Sequence, residues 1–290
     1  MIKPFPTPYK IHNLRLTNGC DIAYIDEGAG DRTLVFVHGL ATYALSWKYN
    51  IDHLKQHFRC IAIDLPGNGF SGRGDYPYSI EFFSGCVYDL IYQLGLTNVT
   101  LVGHSMGGQV AMNLVINAPL VAEKLVLCAP AGFETFTAFE KTMYLSTIHL
   151  LDFFSSEENS LDKTIHMSFF RRHPAADSIA NELIELLRTY PLKDYRAMIQ
   201  ACISGMMNEP VYDKLHLIRQ ETLVIFGDHD GLVPNKLIHH TSTKQIAQTA
   251  CSNIPKVKLE IIPSCGHFVH IERADLVNRY IHQFVAGRLA

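Results

Sequence analysis

Short apolar runs recur along the chain: "TLVFV" at 33–37, "CIAID" at 60–64, "VTLVG" at 99–103, "KLVLC" at 124–128, "TLVIF" at 222–226 and "VKLEII" at 257–262. Continuous β-branched runs of this length, without strict polar alternation, predict strands covered on both faces, the pattern of a parallel sheet. Segments near 47–57, 80–95, 105–117, 236–250 and 273–287 separate them with helical spacing. Strand and helix in alternation predict an α/β fold, a mostly parallel central sheet with helices on both faces. The opening differs: two alternating runs in "IHNLRLTNGCDIAYIDEG" meet at Asn18-Gly19, which predicts an antiparallel hairpin leading into the sheet. The rhythm breaks once, between Pro130 and Thr222, where about ninety residues stand and a crossover needs about a dozen. "AFEKTMYLSTIHLLDFF", "ANELIELLRTY" and "YRAMIQACISGMM" carry apolar residues at three- and four-residue spacing. The expectation is a core of residues 1–130 and 216–290 with a helical cap, 131–215, inserted between its halves.

Composition narrows the class. Of the 290 residues 48% are hydrophobic and 18% charged, an ordinary globular balance able to bury a large core. A formal charge of −3 gives no electrostatic case for nucleic acid or an anionic membrane. The seven cysteines lack C-x-x-C spacing, and several stand inside apolar runs, as small buried hydrophobes do. Their odd number fits a reducing compartment. "MIKPFPTPYK" has three prolines and no apolar core of a signal peptide, and no run approaches a membrane span. The expectation is a cytoplasmic protein with neither membrane nor nucleic-acid partners, acting on a small molecule.

The candidate chemistry starts at "LVGHSMGGQV", residues 101–110. Gly103-His104-Ser105-Met106-Gly107 fits G-x-S-x-G, between the run "VTLV" and the helical "GGQVAMNLVI". Strand, sharp turn and helix are what a nucleophile elbow requires, because flanking side chains would block so tight a turn. A serine hydroxyl is a weak nucleophile and needs a base, itself oriented by an acid. In chain order these partners follow the elbow, acid first, on loops after later strands. "GDHDGLVP" follows the run at 222–226, and "SCGHFVHIE" follows the run at 257–262.

These stretches, with "VFVHGL" at 35–40 and "DLPGNGFS" at 64–71, resemble the α/β-hydrolase superfamily, in its serine-nucleophile, carboxylesterase-like branch with a helical cap. The resemblance covers nearly the whole chain and implies that fold. By position it implies Ser105 as nucleophile, Asp230 as acid and His267 as base. Gly227, Asp230 and Pro234 meet the spacing G-x-x-D-x-x-x-P, which selects Asp230 over Asp228. His267 follows Gly266 and stands five residues before Glu272, whereas His270 reads as the start of the last helix. The loop His38-Gly39-Leu40 implies an oxyanion hole made by the backbone N–H groups of Leu40 and Met106. His38 itself reads as a structural, hydrogen-bonded histidine. Asn68 stands where the family more often has histidine.

Other patterns carry less. Residues 67–72, "GNGFSG", fit a dinucleotide fingerprint in spacing only, since Pro66 precedes them and no apolar helix follows. The fifteen histidines show no metal-ligand spacing, so neither metal nor cofactor is expected. "RRH" at 171–173 reads as a solvated charge run.

An activated serine with an oxyanion hole suits acyl transfer, so the expected reaction is hydrolysis of carboxylic esters through an acyl-enzyme on Ser105. Superfamily members that open epoxides or remove halide use aspartate at the elbow. Two other readings stay open: hydrolysis of carbon–carbon bonds in ring-cleavage dienoates, and a noncatalytic small-molecule receptor on the same fold. Phe133, Phe136, Phe139, Met143, Met206 and Phe268 are the candidate substrate-binding residues, with Phe153, Phe154, Met198 and Met207 further apolar candidates in the cap.

Overall fold

The structure is a computed structural model that describes residues 7–148, 158–188 and 191–287. Its first two strands, β1 (Ile11–Arg15) and β2 (Asp21–Glu27), pair antiparallel. Gly19 makes the turn at a φ of 86°, a conformation open to glycine and costly to most other residues. β3 (Thr33–Val37) follows, then a 3₁₀ turn at Ala44–Trp47 and helix α1 (Lys48–Leu54). β4 (Arg59–Asp64), α2 (Ile80–Gln93), β5 (Val99–His104), α3 (Met106–Asn117) and β6 (Lys124–Cys128) continue the alternation.

Between β6 and the next strand the chain passes through α4 (Ala138–Ile148), α5 (Glu158–Met167), α6 (Pro174–Leu187) and α7 (Leu192–Asn208). The core resumes with β7 (Glu221–Gly227), α8 (Thr243–Cys251), β8 (Val257–Ile262), α9 (Val269–Glu272) and α10 (Ala274–Val285). Phe153 and Phe154 lie outside the described residues.

The strands form one sheet in the order β1-β2-β4-β3-β5-β6-β7-β8, antiparallel in the two pairings of β2 and parallel elsewhere. Every residue of β3 and β5 is buried. Successive side chains point to opposite faces, so both faces of the sheet are covered there. Strand β8 departs from that pattern: among the described residues it pairs with β7 alone, and five of its six residues are only half-buried.

Two boundaries differ from the sequence expectation. The sequence predicts a helix near 236–250, yet α8 begins at Thr243. Ser242 fixes this start by accepting the Gln245 N–H, while the Gln245 side chain returns to the Ser242 backbone. At the C-terminal end a separate short helix, α9, precedes α10, and it carries His270.

The segment between β6 and β7 is fastened to the core by polar contacts. Glu182 of α6 accepts from Tyr43 Oη at 2.6 Å and pairs with Lys48 Nζ at 2.8 Å. Gln109 of α3 donates to the carbonyls of Met206 and Glu209, each at 3.0 Å. No helix among the described residues is long and apolar enough to cross a membrane.

Candidate active site

β5 ends at His104, α3 begins at Met106, and Ser105 alone makes the corner at φ 51° and ψ −120°. A non-glycine residue with this backbone costs on the order of 1–3 kcal/mol and is held only by its surroundings. Three glycines make the corner sterically possible. A Cβ on Gly103 would lie 2.4 Å from the Gly107 carbonyl oxygen, and one on Gly107 would lie 2.3 Å from that of Val37. One on Gly108 would lie 2.7 Å from Pro130 Cβ. Strand and helix therefore meet with no room for side chains between them, and Ser105 is turned outward, half-exposed.

Asp230 and His267 stand on the loops after β7 and β8. His267 Nδ1 lies 2.8 Å from Asp230 Oδ2, and both side chains are buried. Asp230 Oδ1 accepts the N–H groups of Leu232 at 2.8 Å and Val233 at 2.9 Å, which fixes the carboxylate plane. With a carboxylate at Nδ1, the ring carries its proton there and leaves Nε2 as an acceptor. Asp228 points elsewhere, to His229 Nδ1 at 2.6 Å.

The His267 loop is clamped by its neighbours. The His267 N–H donates to the Ser168 carbonyl at 2.8 Å, and Glu272 Oε2 accepts from Gly266 N–H at 3.0 Å and Phe170 N–H at 3.1 Å. A Cβ on Gly266 would sit 2.6 Å from both the Phe170 nitrogen and the Ser168 oxygen. The spacing from Gly266 to Glu272 thus has a physical content, because the carboxylate closes the loop that holds His267.

After β3, His38 is fully buried and bonded on both sides. Nδ1 lies 2.8 Å from the Gly39 carbonyl, and Nε2 is 3.0 Å from the Leu65 N–H it accepts. Nδ1 therefore carries the ring proton. Burial pushes its pKa down to about 4, so it stays neutral across the working range. The Gly39 carbonyl also accepts from Thr42 Oγ1 at 2.9 Å. In a trans peptide C=O and N–H point in opposite directions, so anchoring the Gly39 carbonyl turns the Leu40 N–H the other way. Leu40 and Ser105 line the same cavity, and the first turn of α3 brings the Met106 N–H beside Ser105.

That cavity has a volume of about 710 Å³, and His267 lines it together with Ser105. Of the apolar candidates, Phe136, Met206, Met207 and Phe268 line it. Phe133, Phe139, Met143 and Met198 are not among its lining residues. Phe133 is buried against Phe226, with ring centroids 6.0 Å apart, and Met198 is buried in the core. Phe139 is 76% exposed, on an outer face of α4. Spacing on a helix does not reveal which apolar face meets a cavity and which meets solvent. Ile165, Ile203 and Tyr144 line the wall as well.

The family model for the alpha/beta hydrolase fold matches residues 32–274. The chain belongs to this family. Among its relatives, the pimeloyl-[acyl-carrier protein] methyl ester esterase of Nitrosospira multiformis is 25% identical over 87% of this chain and 94% of its own. The dihydrolipoyllysine-residue acetyltransferase component of the acetoin cleaving system of Cupriavidus necator is 23% identical, over 93% of this chain and 68% of its own. Among solved structures, a probable hydrolytic enzyme of Pseudomonas aeruginosa superposes with a TM-score of 0.82 at 22% identity, covering 99% of this chain and 96% of that one.

On this α/β-hydrolase frame the structure adds a cluster that the sequence did not disclose. Glu134, which lines the cavity, accepts the Asn235 N–H at 2.8 Å and lies 2.5 Å from His239 Nδ1. His239 Nε2 lies 3.5 Å from Glu140. The contact ties the chain leaving β6 to the loop after Asp230. Its partners are about a hundred residues apart, and the only hint in the sequence is a histidine pair at 239–240 on what reads as a helix. Among the described residues no group of three or more His, Cys, Asp or Glu is placed to hold a metal ion.

Proposed function

We propose that the protein is a serine hydrolase that cleaves carboxylic esters with small to medium apolar acyl groups. The observation carrying this reading is that His267, paired at 2.8 Å with the buried Asp230, lines one cavity with Ser105 at a strained strand-to-helix corner. In the proposed reaction Ser105 Oγ attacks the acyl carbon while its proton passes to His267 Nε2. The Leu40 and Met106 N–H groups receive the negative charge that builds on the carbonyl oxygen. Collapse breaks the acyl–oxygen bond, and the alcohol leaves with the proton from His267. Water repeats the sequence on the acyl-enzyme and releases the acid.

Residues 131–215 are read as a helical cap: Phe136, Tyr144, Ile165, Ile203 and Met206 come from it and supply much of the cavity's apolar wall. An apolar wall beside the serine favours an acyl chain over a charged group. Each methylene it buries contributes up to about 0.8 kcal/mol, roughly fourfold in kcat/KM, until the cavity is full.

The test is a p-nitrophenyl ester series from acetate to dodecanoate, run beside a ring-cleavage dienoate and a fluorophosphonate probe. The expected results are a rise to butyrate or hexanoate, a fall for long chains, and labelling of the native chain but not of Ser105→Ala. Ser105→Ala, His267→Ala and Asp230→Asn should each lower kcat by several orders of magnitude, while Asp228→Asn stays within about tenfold. A flat, weak ester series with fast dienoate cleavage would move the reaction to carbon–carbon hydrolysis. A folded chain that no fluorophosphonate labels would remove the serine from the chemistry.

A further inference from the structure

His104, between Gly103 and Ser105, is fully buried and takes no part in the proposed proton transfers. Its Nε2 lies 3.1 Å from the backbone carbonyl of His267. Its Nδ1 has no hydrogen-bond partner among the described residues. A carbonyl only accepts, so the single contact fixes the tautomer: the ring proton is on Nε2 and is donated to His267. The same ring touches the oxyanion loop, since a Cβ built on Gly39 would fall 2.8 Å from His104 Nδ1. It is stacked on Phe268 at 5.2 Å between centroids and lies 4.3 Å from His270, with Trp47 edge-on at 6.5 Å. These contacts leave the imidazole no freedom to rotate.

One rigid side chain thereby spans three parts of the site. It is covalently next to Ser105, it packs on Gly39, and it holds the main chain of His267. We propose that His104 is a positioning residue, which through its Nε2–H bond to the His267 carbonyl sets the reach of the His267 ring toward Ser105. Burial and the neighbouring histidines hold its pKa well below the ordinary value, so the ring keeps this one-donor form at neutral pH. The bond also closes a mechanical loop. The His267 backbone is held at its N–H by Ser168 and at its carbonyl by His104, while the side chain is held by Asp230. Loss of the His104 donor leaves a buried carbonyl unpaired and frees one of those three restraints.

The inference rests on His267 acting as the base, and its test carries one readout that does not need turnover. Two amides that differ by one methylene separate reach from polarity. In His104→Gln the side-chain N–H reaches about as far as Nε2, whereas in His104→Asn it stops near the position of Nδ1. Kinetics on the best p-nitrophenyl ester should give a Gln variant within threefold of wild-type kcat. The Asn variant should lose thirtyfold or more in kcat with KM within twofold. In parallel, the downfield proton NMR signal of the His267 Nδ1–H···Asp230 bond should persist in wild type and Gln, and shift or broaden away in Asn.

Equal kcat in the two variants, whether both retained or both lost, overturns the assignment, as does an unchanged downfield signal in Asn. If the Asn chain does not fold, Gln decides alone: retention within threefold upholds the role of the donor, and a thirtyfold loss in a folded Gln variant rejects it. If no ester is turned over by wild type, the esterase reading fails while the NMR comparison still decides the role of His104.

Discussion

At the scale of single residues, His38 shows how a side chain outside the proposed chemistry sets a backbone donor. Its proton goes to the Gly39 carbonyl and its lone pair takes the Leu65 N–H, so one ring ties the loop after β3 to the chain after β4. Replacing it with phenylalanine keeps the volume and removes both bonds. The Leu65 N–H would then be buried without a partner, at a cost of about 1–3 kcal/mol. The Gly39–Leu40 peptide would also lose one of the bonds that orient it. The expected outcome for His38→Phe is a lower Tm together with a ten- to hundredfold drop in kcat on a short ester. A variant with reduced Tm and wild-type kcat would show that the Thr42 contacts alone orient Leu40. How legible such residues are in the sequence depends on distance along the chain. His38-Gly39 and Gly103–Gly107 are contiguous, so their spacing points to a loop and a corner. Glu134 and His239 reveal nothing until the fold brings them together, and the apolar candidates sorted only when Phe136 met the cavity and Phe133 met Phe226.

At the scale of elements, the fit of α3 against the sheet makes a prediction opposite to helix propensity. Glycine inside a helix is ordinarily worse than alanine by roughly 0.5–1 kcal/mol. Gly85 on α2 obeys this rule, because a Cβ there meets nothing within 4 Å, and Gly85→Ala should raise Tm slightly. Gly107 on α3 should reverse it. Its Cβ would lie 2.3 Å from the Val37 oxygen and 2.4 Å from that of His38, so the helix must move off β3. Gly107→Ala should cost on the order of 3 kcal/mol, in the range of an overpacked core, and misplace Ser105. Thermal melts of the pair check both signs, and a Gly107→Ala chain as stable as wild type would mean that α3 is free to shift. The interior strands were readable because burial on both faces removes polar alternation, and β3 and β5 match their runs. Leu237 and Ile238 read as the first apolar turn of a helix, but the polar stretch His239-His240-Thr241-Ser242 follows them, and the Ser242–Gln245 capping box starts α8 only at Thr243. The half-buried state of β8 follows from its place at the sheet edge, which only topology decides.

Across the whole molecule, the region behind the cavity concentrates neutral histidines, and this couples stability to pH. Burial lowers the pKa of His38 to about 4 and of His270 to about 3, and holds that of His104 well below its ordinary 6.5. As pH falls below about 6.5 the unfolded chain therefore takes up protons on these three rings that the native state resists. Their contribution to stability is complete above about pH 6.5 and is lost as pH falls below it. Asp64 opposes them. Burial raises its pKa to about 7, despite the Ala44 and Phe70 N–H groups it accepts, so the native state holds a proton there that the unfolded chain releases. Its contribution grows as pH falls from 7 toward its ordinary 3.8. Three protons against one leave the unfolded state about two ahead near pH 5, a slope on the order of 3 kcal/mol per pH unit from these groups. Tm should fall from pH 7.5 to pH 5.5, and His270→Phe, which removes one of the three, should flatten the fall by about half. The comparison cancels the surface carboxylates that titrate alike in both chains. Parallel Tm curves for the two proteins would show that His270 takes up its proton in the folded state, and a wild type that melts higher at pH 5.5 than at 7.5 would mean that Asp64 outweighs the histidines.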